Sequence, residues 1–257
     1  MPATLQILMA CLVIPLSAFG YSAEGHEIIA DVAQKLISGT PASNHVKELL
    51  GSYSMAEVST WADKIKGGNS PDEDLNAWRD ANRALPAGKS SARHNLHHYT
   101  NIPIQEEAYS PASIGTDPDD IVHAMKDCIL ILKGQEPSAS FRGTSPKVAM
   151  ILLIHIHYYW DRSVVDGTMQ AAGFTGHPKA FSNFLVKQIR EERFTAPSGN
   201  VGDWPTQYVT KMIPDSRKAY LPITNSDSCA NSKPHALTHE NFFAFHVVLS
   251  PVDPFVV

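Results

Sequence analysis

The residues with the clearest potential for chemistry in this chain are its histidines, of which there are 12 against only 3 cysteines. Histidine is the commonest metal ligand in proteins, so this excess indicates metal chemistry that does not depend on thiolates. His157 and Asp161 lie four residues apart in a segment that we predict to be helical. They therefore share one face of a helix, in a spacing that suits zinc.

The other side chains that are candidate metal ligands are dispersed along the sequence: His26, Asp63, His98 and His155. Taken singly, each also has an ordinary explanation. His26 lies near a helix start and Asp63 near a helix end, where capping or solvated residues are common. His98 belongs to a loop, and His155 lies in an apolar run where a hydrogen-bonded core histidine is commoner than a metal ligand.

A backbone ligand is expected at Tyr21. Residues 5–16 form a short apolar run, and Ala18 and Gly20 supply small residues before a cut at Tyr21, which together predict a signal peptide over residues 1–20. A buried first helix is the alternative. After cleavage, the free amine and carbonyl of Tyr21 can chelate an ion that His26 also reaches.

Composition limits the class of protein. With 43% hydrophobic and 18% charged residues, the chain is neither disordered nor a coiled coil, and its net charge of −5 argues against a basic nucleic-acid clamp. Any contact with phosphate must therefore come from a local site. The predicted signal peptide implies a secreted, periplasmic or vesicular protein that is not held at a membrane, in which Cys128 and Cys229 are available for one disulfide.

The elements that must position these residues are mostly helices. Apolar spacing and helix-start patterns predict helices at 24–38, 44–50, 54–66, 117–133, 145–160, 178–193 and, more weakly, 204–219. The polar stretch 67–93 is predicted to be a long surface loop. From about residue 222 the pattern has no helical period. We therefore expect a mainly α, single-domain helical bundle over residues 21–257, with an atypical tail.

Several motifs follow one another in a characteristic order: Glu24-Gly25-His26-Glu27, Ser59-Thr60-Trp61-Ala62-Asp63, His98-Tyr99 with Asn101-Ile102-Pro103, and His157-x-x-Trp160-Asp161. In order and spacing they resemble the zinc-dependent, single-strand-specific nucleases such as mung-bean nuclease and nucleases S-one and P-one. The resemblance covers roughly residues 21–200. It implies a fold related to zinc phospholipase C.

The resemblance also implies a site with up to three Zn²⁺ ions. The first takes the matches of Asp63, His98 and His155. The second takes the amine and carbonyl of Tyr21 and the side chain of His26, and the third takes His157 and Asp161 together with one further histidine. Asp63 is in addition the implied catalytic carboxylate.

Three further residues match the family's substrate machinery. Lys66 stands where the family usually has arginine and would stabilise charge on the phosphate, although a solvated helix-end lysine explains it equally well. Tyr99 matches a residue that stacks on a nucleobase, and Asn101 one that hydrogen-bonds the base edge. The implied substrates are single-stranded DNA and RNA, or nucleotides.

One stretch departs from the family pattern. His155 and His157 are two residues apart, whereas the family places a bridging aspartate four residues after the first histidine and then a Gln-Pro-Leu-His segment. The expected function is a secreted, monomeric endonuclease that yields 5′-phosphorylated products and possesses 3′-nucleotidase activity. A zinc phospholipase C and an inactive, truncated family member remain the alternatives.

Overall fold

The described part of the chain is helical. The computed structural model describes residues 23–89, 91–103, 105–155, 169–192 and 197–220, and no strand occurs among them. The helices are α1 (Ala23–Ile37), α2 (Pro41–Leu50), α3 (Met55–Val58), α4 (Trp61–Gly67), α5 (Glu73–Ala81), α6 (Arg93–Leu96), α7 (Ile121–Leu132), α8 (Pro146–His155), α9 (Pro178–Glu192) and α10 (Trp204–Tyr220). The predicted mainly α fold class is confirmed. The signal peptide, the tail from residue 222 and Cys229 lie outside the described residues.

Helix α1 packs between two hydrophobic clusters. Ile28 and Val32 face α9, while Ala30 and Ile37 join the larger cluster around α3, α4, α7 and α8. His26 lies one helical turn before Ala30, so it is on the stripe that faces the larger cluster. Its side chain is only 1% exposed. Packing of α1 thus carries an imidazole into the interior.

The predicted helix over 54–66 is interrupted at Ser59 and Thr60, giving α3 and α4. Ser54 caps α3 in a capping box with Glu57, and the chain turns after Val58 before Trp61 starts the next helix. The prediction of one continuous helix was therefore wrong. The interruption arises where two hydroxyl residues, which are weak helix formers, follow each other.

The predicted surface loop over 67–93 contains α5. Asp72 caps this helix by accepting a hydrogen bond from the Leu75 amide, and Leu75 and Trp78 are buried in the main cluster. The loop prediction failed because only a few apolar residues of this polar segment face the core. Capping and an acidic first turn, which favours a helix N-terminus, supply the rest of its helical preference.

Helix α8 places His155 in the core. Pro146 is its first residue, and buried apolar side chains fill most of its length. It packs along α7, whose N-cap is Asp120, so α7 begins at Ile121 and not at residue 117 as predicted. His155 is the last described residue of α8 and is 5% exposed. None of the described helices is long and apolar enough to span a membrane.

Candidate functional site

Four of the predicted ligands meet at one place in the interior. His26 comes from α1, Asp63 from α4, His98 from the turn after α6, and His155 from the end of α8. All three histidines are buried, and the Asp63 side chain is 22% exposed. The packing of four separate elements therefore positions the set.

Three of these side chains place donor atoms close together. His98 Nδ1 lies 3.1 Å from His155 Nε2, and Asp63 Oδ1 lies 3.5 Å from His155 Nε2 and 3.8 Å from His98 Nδ1. Ligands of a tetrahedral zinc ion at about 2.0–2.1 Å are separated by about 3.3 Å. The three atoms thus have the spacing of one face of a zinc coordination tetrahedron.

His26 approaches the same carboxylate from its other oxygen. His26 Nε2 lies 3.5 Å from Asp63 Oδ2. The ring of His26 stacks on that of His155 with centroids 4.7 Å apart and an angle of 19° between the planes. Ligand atoms of His26, Asp63 and His155 lie within 4.8 Å of one another. The donor set of three imidazoles and one carboxylate is of the type that zinc prefers.

The orientation of His155 is fixed by a backbone group. Its Nδ1 lies 2.5 Å from the Ser59 carbonyl oxygen. A carbonyl only accepts, so Nδ1 carries a proton and donates it, which leaves Nε2 as the ring atom that can bind a metal ion. The interruption between α3 and α4 leaves this carbonyl available. A hydrogen bond from the distal nitrogen is the usual way in which proteins orient a metal-binding histidine.

Burial and nearby charge set the protonation states of the site. Burial raises the pKa of Asp63, but the hydrogen bond and charge of His155 and the nearby Lys66 ammonium outweigh it and hold that pKa well below its usual range. Burial, with His155 close by, lowers the pKa of His98 well below its ordinary value. An ionised carboxylate and a neutral imidazole are the forms that bind metal.

Lys66 lies beside the carboxylate. Its Nζ donates to Asp63 Oδ1 at 2.5 Å, one turn along α4, and its side chain is 27% exposed. The ammonium therefore lies at the boundary between the buried donors and solvent. A cation in this position can contact an anionic substrate that approaches the donor set.

The segment carrying Tyr99 and Asn101 is held by its backbone. The backbone carbonyl of Tyr99 accepts a hydrogen bond from the backbone N–H of Ile121. The backbone N–H of Asn101 donates to the Gly115 carbonyl at 3.2 Å. Gly115 has a φ of +90°, and a Cβ there would overlap the Asn101 carbonyl oxygen. Tyr99 is half-buried and Asn101 is exposed. The anchored backbone thus leaves the Asn101 side chain at the surface.

Sequence reasoning missed the role of Asp120 as a junction. This carboxylate, 1% exposed, accepts from Thr100 Oγ1 at 2.8 Å and from the Tyr109 hydroxyl at 3.1 Å while it caps α7. His123 Nδ1 lies 3.0 Å from its Oδ1. The sequence contained the capping pattern but no indication that loops distant in sequence converge on it.

Two other histidines lie elsewhere, and three of the predicted ligands are not described. His123 contacts Asp120, and His177 is exposed in the turn before α9, so neither belongs to the donor set found among the described residues. Tyr21, His157 and Asp161 lie outside the described residues. Cys128 is fully buried in α7.

One of the comparisons with known proteins gives a match. No curated protein matches the chain. The S1/P1 Nuclease family matches residues 21–157, which is more than half of the chain and includes His26, Asp63, His98 and His155. On this match, and with a mainly helical fold that brings the four side chains together, the chain belongs to the S1/P1 nuclease family.

Proposed function

We propose that this protein is a secreted, zinc-dependent endonuclease that cleaves single-stranded DNA and RNA to 5′-phosphorylated products and also acts as a 3′-nucleotidase. Family membership supports nuclease chemistry on nucleic acid, and zinc dependence is a property of the family. The chain's own residues supply the rest of the argument. We propose Asp63 and Lys66 as the catalytic residues, with His26, Asp63, His98 and His155 as zinc ligands.

The observation that carries this proposal is the spacing of the donor atoms of Asp63, His98 and His155, between 3.1 and 3.8 Å. Buried imidazoles in van der Waals proximity to a carboxylate, with one distal nitrogen tied to a carbonyl, fit a tetrahedral divalent ion. We extend the ligand set to the backbone of Tyr21 and to His157 and Asp161, as the family pattern implies.

The protein residues divide the chemistry between them. When bound, zinc supplies Lewis acidity and a water molecule that ionises near neutral pH. Asp63 is ionised and adjacent to the donors, so it orients the attacking water by accepting a hydrogen bond from it. Lys66, with its ammonium at the edge of the site, stabilises negative charge that builds on the phosphate oxygens.

Substrate recognition is assigned to the segment around Tyr99 and Asn101. Tyr99 offers an aromatic ring for stacking on a base, and the exposed Asn101 amide can bond a base edge. Stacking requires an unpaired base, because a duplex buries the faces of its bases. The proposed enzyme therefore prefers single strands to duplexes.

The test compares cleavage of denatured DNA, RNA and duplex DNA by the purified mature protein with zinc and after chelation. We expect zinc-dependent cleavage of the single-stranded substrates and products that a ligase accepts through their 5′-phosphates. Asp63→Ala should abolish cleavage, whereas Asp74→Asn, an exposed carboxylate on α5, should leave it unchanged. Zinc-independent cleavage, or full activity of Asp63→Ala, would contradict the proposal.

Three simpler measurements test the proposed location, the assembly and the terminal ligand. The mass of the exported protein should correspond to a chain that starts at Tyr21, and its elution should match a monomer. Extending the mature chain before Tyr21 should impair cleavage, because an amide nitrogen is a poor metal ligand. Undiminished activity of the extended protein would exclude the terminal amine as a ligand.

A further inference from the structure

The two oxygens of Asp63 face different histidines. Oδ1 lies 3.5 Å from His155 Nε2 and 3.8 Å from His98 Nδ1, while Oδ2 lies 3.5 Å from His26 Nε2. Each distance is close to the edge of a zinc tetrahedron, about 3.3 Å. We propose that Asp63 is a bridging carboxylate, with one zinc ion on the His98 and His155 side and a second on the His26 side. The inference rests on the proposed function and goes beyond it.

The stacking of His26 on His155 supports two ions rather than one. Their rings are nearly parallel, with centroids 4.7 Å apart, and each presents its Nε2 to a different oxygen of the carboxylate. Because the two Nε2 atoms face different oxygens, the two rings suit ions bound at opposite ends of the carboxylate. Paired catalytic metals are typically about 3.5–4 Å apart, which such a stack can accommodate.

Asp63 has the charge and the lone pairs for this role. In the described part of the chain it is the only carboxylate of the candidate metal group. An ionised carboxylate offers about four lone-pair sites, so one on Oδ1 can accept from Lys66 while one on each oxygen binds an ion. Its negative charge lies between the two cations and offsets their repulsion. At the position four residues after His155 the sequence has Tyr159, which supplies no carboxylate.

The test measures zinc content at fixed free zinc in paired variants. His98→Ala/His155→Ala removes the imidazoles of one ion, and His26→Ala removes that of the other. Adding Asp63→Ala should then lower the zinc content further in both backgrounds, by roughly one ion per chain. A ligand of one ion alone would lower it further in only one background, and that result would overturn the inference.

A measurement on the unmodified protein tests the same point without relying on variants that must fold. Zinc-edge X-ray absorption of the zinc-loaded wild type should show a zinc–zinc distance of roughly 3.5–4 Å. Asp63→Ala should lose it, while Asp74→Asn, checked for helicity alongside it, should retain it. A wild type that cleaves single strands with zinc but shows no zinc–zinc distance refutes the bridge alone. A wild type that neither binds zinc nor cleaves refutes the proposed function as well.

Discussion

At the residue scale, His155 explains how an apolar helix presents a ligand. Its Nδ1 donates to the Ser59 carbonyl and its Nε2 is 3.1 Å from His98 Nδ1. The sequence identified His155 as a candidate but could not identify Ser59, because the partner acts through its backbone and any residue has a carbonyl. The candidate ligands could be named from the family resemblance, whereas the group that orients one of them required the fold.

We expect Lys66 to contribute to the catalytic rate and not to zinc binding. Lys66→Met should lower kcat by about 10²-fold or more, the usual loss when one donor to a developing charge is removed. The zinc content should be unchanged, because Lys66 is not one of the proposed zinc ligands. Lys66→Arg should recover part of the activity, since it restores the charge. Steady-state cleavage of a short single strand measures the effect.

The control for Lys66 is Lys64→Met on the same helix. Lys64 is exposed and its loss should change neither kcat nor zinc content. Equal losses in the two variants would mean that Lys66 contributes only to the general charge of this surface.

His97 should make stability depend on pH. Burial lowers its pKa to about 4, from an ordinary value of 6.5, so the folded chain keeps it neutral where the unfolded chain protonates it. The stabilisation is fully present above pH 6.5 and is lost as pH falls from 6.5 towards 4, with an upper limit of about 3 kcal/mol. Urea unfolding across this range should show a steeper pH dependence for the wild type than for His97→Gln.

The exposed His45 provides the comparison for His97. His45→Gln should leave the pH dependence of the unfolding free energy as it is in the wild type, because this ring is 45% exposed beside Glu48. If His97→Gln has the same pH dependence as the wild type, protonation of His97 does not account for the loss of stability in acid.

At the scale of elements, the N-terminus of α7 and two loops share one buried carboxylate. Asp120 accepts from Thr100 and Tyr109 and from the first amides of α7. The Tyr109 amide in turn donates to Thr210 Oγ1 on α10. The segment that carries Tyr99 and Asn101 is thus attached through Thr100 and Asp120 to the N-terminus of α7. Tyr109 connects the same carboxylate to α10.

Asp120→Ala should destabilise the protein and loosen the segment that carries Tyr99 and Asn101. Loss of the cap and of the buried acceptor should lower the free energy of unfolding by roughly 2 to 4 kcal/mol. KM for single strands should rise at temperatures where the variant stays folded, because Thr100 adjoins the proposed base-binding residues. Asp120→Asn keeps a capping oxygen and should cost less.

Chemical denaturation and cleavage kinetics test the Asp120 prediction against Asp80→Ala. Asp80 is an exposed carboxylate paired with Arg79 and Arg83, and such surface pairs contribute little. A loss of stability with unchanged KM would show that Asp120 supports the fold without positioning the substrate segment.

The elements themselves were predictable to different degrees. The segments that became α1 and α9 were predicted within one residue of their observed bounds, because their apolar stripes face a core. The start of α8 was predicted equally well, whereas α7 begins four residues later than predicted. Helix α5 was missed because its sequence has only a weak apolar period. Its buried residues Leu75 and Trp78 and its cap at Asp72 lie in an otherwise polar segment. Tertiary packing decided its conformation.

At the scale of the whole molecule, the donor set connects distant parts of the bundle. His26, Asp63 and His155 belong to α1, α4 and α8, and His98 follows α6. The mainly α fold and the identity of these residues were predictable from the sequence. Their mutual geometry was not, because periodicity specifies which face of a helix is buried and leaves open which neighbour covers it.

Removal of zinc should therefore destabilise the whole fold. A ligand that binds only the folded chain stabilises it by about 4 kcal/mol at a thousandfold excess over its Kd. We expect chelation to lower Tm and added zinc to restore it, with a far smaller response in His155→Ala. His45→Gln should respond like the wild type. Thermal scans that are indifferent to zinc would show that the donors do not hold an ion.

The stacking of His26 on His155 also has a consequence for the order of folding. Their stack joins the first described helix to one that follows more than a hundred residues later, so the contact closes a long loop. Contacts of such large sequence separation form late, after local helices and short loops. The pair of rings is therefore complete only when α1 and α8 have both docked. Capture of zinc from a weak chelator during refolding would then report the arrival of the native state.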